Sequence, residues 1–212
     1  NYSNDQVARL LRKLTNLYAA CKYLFGESFI NNSNEEISVE FICKLHALVG
    51  EGVVKNAGRF RTSIVSAFGS SVVYSLPNQI EKRLSCLLNF IKDVRAQYEL
   101  SPSHVKTEKT ILLASFFLSE FLLIHPFCNG NGRIARLLTN FILKDITFVP
   151  FSLHYQSREL YLKTLEARNE PTIPPNYLAL YVVLCIVKTV NDIRWLVVDP
   201  SLDGTEEESE SN

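Results

Sequence analysis

The sequence contains no methionine, only one tryptophan and no net charge, with 22 basic residues balancing 22 acidic ones. A net charge of zero gives no general electrostatic attraction to nucleic acid or to an anionic membrane, so neither partner is expected. No run of about 18 apolar residues free of polar breaks is present, which argues against a membrane-spanning helix. Residues 1–10 lack the basic and apolar regions of a signal peptide. The missing methionine predicts a processed chain or an excised fragment.

The five cysteines are odd in number and widely spaced, and four of them lie inside apolar segments. This usage is typical of reduced, buried thiols in an intracellular protein rather than of a disulfide framework or a zinc site. A location in the cytoplasm or nucleus is therefore favoured. The cysteines are Cys21, Cys43, Cys86, Cys128 and Cys185.

The composition, 47% hydrophobic over 212 residues, is sufficient for one globular domain with its own core. Apolar residues recur at spacings of three and four along most of the chain, which predicts amphipathic helices. We expect a mainly α fold, a bundle of about seven or eight helices around a central buried helix. The domain should span residues 1–198, and the acidic segment 199–212 should be a disordered tail. The predicted helices cover about 5–24, 35–49, 77–100, 106–124, 132–144, 157–168 and 177–197.

One segment, residues 52–77, has a different character. It is rich in Val, Ser and Phe, is interrupted by Gly58 and Gly69, and shows partial alternation of apolar and polar residues. The pattern predicts a small β-hairpin flap with its turn near residues 68–71. Because an isolated hairpin is only marginally stable, the flap should pack on the helices.

The helix predicted to end at Ile124 is apolar on nearly every side in its second half, which is typical of a buried central helix. It leads directly into His125-Pro-Phe-Cys-Asn-Gly-Asn-Gly-Arg-Ile-Ala-Arg136. This stretch is poorly suited to packing a core, since it is a small polar loop with two glycines and two arginines. It is better suited to binding an anion.

The chemistry of this stretch points to phosphate binding beside a base. Gly130 and Gly132 leave the backbone N–H groups accessible, and the following helix adds the positive end of its dipole. Arg133 and Arg136 lie one turn apart, and guanidinium groups match phosphate oxygens geometrically. His125 has an unperturbed pKa near 6.5 and can accept a proton at neutral pH. The expected ligand is a di- or triphosphate.

Each of these features alone has a more ordinary explanation. A single histidine at a helix end is more often structural, a Gly-Asn-Gly triplet more often marks a turn, and two arginines three apart usually lie on a solvated face. Their coincidence within twelve residues favours the functional interpretation.

The stretch also resembles the signature of Fic-domain proteins, H-x-F-x-D/E-G-N-G-R-x-x-R. Two further segments are similar to the family: the G-x-x-R sequence Gly58–Arg61 upstream and the R-x-x-Y sequence Arg158–Tyr161 downstream. The resemblance covers roughly residues 40–190. The signature matches at His125, Phe127, Gly130, Asn131, Gly132, Arg133 and Arg136.

The resemblance implies a protein adenylyltransferase that moves AMP from ATP to a Ser, Thr or Tyr hydroxyl of a target protein, with His125 as the general base. It also implies that a target segment docks on the flap by strand addition, and Arg61, Ser63, Ile64 and Val65 are the flap candidates. The residues implied to bind nucleotide and phosphate are Gly130, Asn131, Gly132, Arg133, Arg136 and Tyr161.

The sequence departs from the signature at Asn129, where the family has Asp or Glu as a ligand of Mg²⁺. Magnesium prefers anionic oxygen ligands, so Asn129 is a weak metal candidate and the role of Mg²⁺ (or Mn²⁺) is in doubt. Two alternatives therefore stay open. The chain is a nucleotide-binding pseudoenzyme or regulatory module, or it transfers or removes another phosphate-containing group, with a phosphocholine or UMP donor as examples.

Many Fic proteins are restrained by an inhibitory helix with the sequence [S/T]-x-x-x-E-[G/N]. No such match occurs in this chain. Either the helix lies outside the sequence, or a partner protein supplies it, or no such restraint operates.

Overall fold

The computed structural model describes residues 3–26, 37–66, 72–147, 150–153, 158–166 and 176–198. The chain forms two compact units, Asn1–Pro150 and Phe151–Asn212, where the sequence predicts one domain up to residue 198. The motif stretch (residues 125–136) and the hairpin segment (residues 52–77) belong to the first unit. The predicted disordered tail lies outside the described residues.

Seven α-helices account for most of the described chain, which confirms the mainly α prediction. None of the described helices is long and apolar enough to cross a membrane. The helices are α1 (Asn4–Phe25), α2 (Val39–Gly50), α3 (Ile80–Tyr98), α4 (Ser103–Ile124), α5 (Asn131–Ile142), α6 (Arg158–Glu166) and α7 (Tyr177–Val198), and a 3₁₀ turn, Pro77–Gln79, precedes α3.

Helix α4 is the central helix of the first unit, as the sequence predicts. Its side chains Phe117, Leu118 and Phe121 are fully buried, and it packs against α3 on one side and α5 on another. Because a Phe or Leu side chain contributes roughly 1.5–3 kcal/mol on burial, this helix is firmly held. Its last turn therefore provides a rigid support for His125.

Helix α2 begins at Val39 and is capped by the preceding Ser38, whose hydroxyl accepts the N–H of Phe41 at 3.1 Å. Its C-terminal end is tied to α1 through Asn16. The amide of this buried side chain donates to the carbonyls of Val49 and Glu51, at 3.3 and 2.8 Å. These bonds fix the helix end that approaches the motif stretch.

The hairpin segment forms one isolated antiparallel bridge, between Ser66 and Val73, instead of paired strands within the described residues. The predicted turn at 68–71 lies outside them. Both arms of the segment bond to the backbone at the C-terminal end of α4 or just after it. Arg61 N donates to Pro126 O at 2.9 Å, and Ser75 N donates to Leu123 O at 3.3 Å.

All five cysteines are free thiols, in agreement with the predicted absence of disulfides. The prediction that most of them are buried is wrong: only Cys185 is buried, whereas Cys86 and Cys128 are exposed. Cys86 lies on the exposed face of α3, whereas its apolar neighbours Leu84 and Leu87 lie on the buried face. An apolar segment of a helix therefore does not bury every residue in it.

Candidate functional site

His125 ends α4 in a left-handed backbone conformation, with φ 50° and ψ 59°. Its backbone N–H still donates to Phe121 O at 3.0 Å, so the helix terminates on this residue. Its ring atom Nδ1 lies 3.2 Å from Leu122 O. A carbonyl only accepts, so Nδ1 carries the hydrogen and Nε2 of the neutral ring holds a free lone pair.

The surroundings of His125 favour this neutral ring. Burial lowers the pKa of His125, the hydrogen bond to Leu122 opposes that effect, and the Arg61 guanidinium lowers the pKa further. The ring of Tyr74 stacks on it, with centroids 4.1 Å apart. At pH 7 the imidazole is therefore positioned and unprotonated at Nε2, as a general base requires.

The motif loop (Phe127–Gly132) is closed by one side chain. Asn131 is 2% exposed, its Oδ1 accepts the N–H of Phe127 at 2.9 Å, and its Nδ2 donates to Phe127 O at 2.7 Å. The phenyl ring of Phe127 is fully buried. Asn131 thus shapes the loop through its side chain, and only its backbone remains for the predicted phosphate contact.

The two motif arginines lie over the two glycines of the loop. A Cβ added at Gly132 would lie 3.2 Å from Arg136 Nη1, and one added at Gly130 would lie 3.7 Å from Arg133 Nη2. Gly130 also has φ +89°, which other residues rarely adopt. Within the described ranges neither arginine forms an ion pair. The site therefore brings two uncompensated positive charges to an accessible backbone.

The charges also interact with each other. Burial lowers the pKa of Arg133, and the nearby Arg136 lowers it further, although a guanidinium stays charged at neutral pH. Two like charges held close together without a carboxylate are unfavourable. An anion that binds between them relieves this repulsion.

Asn129, the weak metal candidate, is exposed in the motif loop. Its Oδ1 accepts the N–H of Gly130 at 2.7 Å. No group of three or more His, Cys, Asp or Glu side chains suited to a metal ion occurs in the part of the chain that is described. One neutral oxygen that already accepts a hydrogen bond fits Mg²⁺ poorly.

Arg61 does not lie on an open flap surface. It is 2% exposed, and its guanidinium donates to His125 O at 2.7 Å and Ser63 O at 2.8 Å, as well as to the carbonyls of Ser75 and Ile124. It therefore joins both ends of the hairpin segment to the backbone at His125. This placement differs from the predicted role in target docking.

The other flap candidates are accessible. Ser63 is exposed, Ile64 is 76% exposed and Val65 is half-buried. Tyr161 lies in the second unit, where it is buried at 3% exposure and its ring is 6.1 Å from that of Tyr181. Its predicted contact with nucleotide stays a prediction.

Sequence reasoning missed His46, a residue on the buried face of α2. It is 1% exposed, and its ring stacks on Phe127 with centroids 3.7 Å apart and planes within 2°. Both ring nitrogens bond to backbone groups, Nδ1 to Gly58 N at 2.8 Å and Nε2 to Asn129 O at 2.9 Å. The available signal was a histidine at an apolar position of a helix, but its partners are distant in sequence.

The structure is a helical fold in which His125 is followed directly by a glycine-containing loop and two arginines. The family model described as Fic/DOC matches residues 36–143, which is about half of the chain. The chain belongs to the Fic/DOC family.

Relatives and solved structures agree with this assignment. The chain is similar to the protein adenylyltransferase Fic of Nematostella vectensis, with 29% identity over 175 residues, 81% of this chain and 37% of the relative. Among solved structures, Fic-1 (residues 134–508) of Caenorhabditis elegans has a TM-score of 0.66 and 25% identity, over 92% of this chain and 55% of that one. A Fic-domain-containing signalling protein of Bacteroides thetaiotaomicron shares the fold, with a TM-score of 0.67, 20% identity and coverage of 90% and 74%. The chain spans about a third of the length of the curated relatives it matches.

Proposed function

We propose that this protein transfers AMP from ATP to a Ser, Thr or Tyr hydroxyl of a target protein. One observation carries the proposal: the neutral ring of His125 precedes a loop whose two glycines lie next to two guanidinium groups that form no ion pair within the described residues. Relatives named protein adenylyltransferases support the reaction class.

The proposed reaction is a single displacement at the α-phosphorus of ATP. Nε2 of His125 accepts the proton of the target hydroxyl, whose oxygen forms the new bond to phosphorus. The bond between the α-phosphorus and the bridging oxygen breaks, and pyrophosphate leaves. Arg133 and Arg136 stabilise the negative charge on the phosphates, because preorganised donors act most strongly where charge develops.

The target segment is proposed to dock along the flap. Ile64 is 76% exposed and Val73 is 86% exposed, so apolar side chains are available on both arms of the hairpin segment. Strand addition uses backbone hydrogen bonds and does not require one target sequence. The hydroxyl would be delivered towards His125, since the arms are bonded to the end of α4.

The proposal is tested by incubating the protein with ATP labelled at either the α- or the γ-phosphate. AMP transfer places the α-label on protein, on the chain itself or on an added target, and releases the γ-label as pyrophosphate. Label on protein from the γ-labelled nucleotide alone would indicate phosphoryl transfer instead. Absence of any protein label would refute the enzymatic proposal.

Asn129 favours a second candidate, a nucleotide-binding pseudoenzyme or regulatory module. A site that lacks the metal-binding carboxylate retains its arginines and loop, and so retains the means to bind phosphate. In the labelling experiment this candidate gives ATP binding without transfer. Transfer from a UMP or phosphocholine donor in place of ATP is the remaining alternative, and it is tested with the corresponding labelled donors.

Asn129→Asp is expected to raise Mg²⁺-dependent AMP transfer, because Mg²⁺ prefers anionic oxygen ligands, and by about tenfold if the added charge contributes as much as a charge-assisted hydrogen bond, about 1.5 kcal/mol. Initial rates of self-labelling are measured across a MgCl₂ series, with EDTA as the metal-free reference. Asn129→Ser, which adds no charge, is the matched control. Equal rates for the Asp and Ser variants at every Mg²⁺ concentration would contradict the prediction.

A further inference from the structure

The backbone N–H of Gly130 is one of the donors through which the motif loop can bind an anion. In the structure it donates to Oδ1 of Asn129, the side chain of the preceding residue, which is exposed. A phosphate oxygen is a stronger acceptor than a neutral amide oxygen, so it replaces Asn129 at this N–H. The direction of the N–H bond then determines how well phosphate binds.

That direction is determined by the other side of the same peptide group. The Asn129–Gly130 peptide bond is trans, so the carbonyl of Asn129 and the N–H of Gly130 point in opposite directions. His46 holds the carbonyl from the interior, with Nε2 2.9 Å from Asn129 O. Fixing the carbonyl inwards directs the N–H outwards, to the exposed face.

The ring of His46 is itself fixed in one tautomer. Gly58 N–H can only donate, and it donates to Nδ1 at 2.8 Å, so the hydrogen of the neutral ring is on Nε2. Stacking on Phe127 at 3.7 Å sets the plane of the ring. Gly58 begins the segment that leads to Arg61, so His46 also links the hairpin segment to the motif loop.

We infer that His46 is a positioning residue for nucleotide binding: it aims the Gly130 N–H at a phosphate oxygen through its bond to the Asn129 carbonyl. The inference rests on the proposed function, since it assumes that the bound anion is a phosphate of ATP. His46 does not touch the ligand. It acts through the peptide group between Asn129 and Gly130.

Two substitutions separate the two bonds of the ring. In His46→Gln the amide nitrogen can occupy the place of Nε2 and donate to Asn129 O, while the acceptor for Gly58 is lost. In His46→Asn the amide oxygen can occupy the place of Nδ1 and accept from Gly58, while the donor to Asn129 is lost. Both variants lose the imidazole ring that stacks on Phe127, and the Asn side chain is one methylene shorter than that of Gln.

Titration of ATP by calorimetry is expected to give a dissociation constant about tenfold weaker for His46→Asn and within about threefold of wild type for His46→Gln. Thermal denaturation should show a loss of stability for both, since each loses one hydrogen bond and the stacking, and a somewhat larger loss for His46→Asn, whose side chain is shorter. A merely structural role would lower ATP affinity equally in the two variants, and that result would overturn the inference. Unchanged affinity in His46→Asn, or a larger loss in His46→Gln, would also overturn it.

The amide resonance of Gly130 in a ¹H–¹⁵N spectrum without nucleotide gives an independent result. Both variants lose the ring current of the imidazole, so the two variants are compared with each other. The resonance should lie further from its wild-type position in His46→Asn than in His46→Gln, and the reverse or no difference would refute the positioning role. If wild type binds no ATP, the proposed function fails, but this spectrum still decides whether His46 orients the Gly130 N–H. If His46→Asn does not fold, His46→Gln decides it: affinity within about threefold of wild type supports the inference, and a tenfold loss overturns it.

Discussion

Replacing His125 with Ala lowers the rate of AMP transfer about 10²–10⁴-fold, the range expected for removal of a general base. The reason is local: Nε2 is the only atom of this side chain able to accept the hydroxyl proton, because Nδ1 bonds to Leu122 O. ATP affinity should stay within about threefold of wild type, since the proposed phosphate contacts come from the loop and the arginines. Single-turnover labelling with α-labelled ATP measures the rate, and calorimetry measures the affinity.

His104→Ala is the matched control, because His104 is exposed near the start of α4, at the opposite end of the helix from His125. It should transfer AMP at the wild-type rate. If His125→Ala retained more than about a tenth of the wild-type rate, His125 would not be the base and the proposed mechanism would be wrong.

Replacing Arg61 with Ala has the largest expected effect on stability. The guanidinium is 2% exposed and donates to four backbone carbonyls from both arms of the hairpin segment and from the end of α4. Hydrogen bonds to a charged donor contribute about 1.5–3 kcal/mol each, but water replaces some of them, so a loss of about 2–4 kcal/mol in the free energy of unfolding is expected. Urea denaturation followed by circular dichroism measures the loss.

Arg61→Lys should recover only a small part of this stability, since an ammonium group lacks the planar set of donors that reaches several carbonyls at once. Arg59→Ala provides the surface control, because Arg59 is exposed, and its effect should lie within about 0.5 kcal/mol. If Arg61→Ala and Arg59→Ala had the same urea denaturation midpoint, the hydrogen bonds of Arg61 would not stabilise the hairpin segment.

The sequence predicts the central helix and its loop well because both depend on local patterns. The apolar second half of α4 indicates burial around Phe117 and Phe121, and the structure confirms it. The motif stretch is likewise contiguous, so the close approach of Arg133 to Gly130 and of Arg136 to Gly132 follows from helical spacing.

The parts that sequence could not predict depend on partners far along the chain. His46 bonds to Asn129 across 83 positions, and Arg61 bonds to His125 across 64. A motif places Arg61 in the flap but does not reveal that its side chain turns inwards. The partial alternation within residues 52–77 likewise predicts strands, whereas the described residues pair only at Ser66 and Val73.

These distant bonds have a consequence for the order of folding. The carbonyls of Asn129 and His125 accept hydrogen bonds from His46 and Arg61, which lie much earlier in the chain. The site therefore cannot form from local contacts alone. Contacts between residues far apart in sequence form slowly, because loop closure costs entropy before any contact is gained. A chain that has formed its helices but not these contacts should therefore be inactive. Recovery of labelling activity during refolding should lag behind recovery of helical circular dichroism.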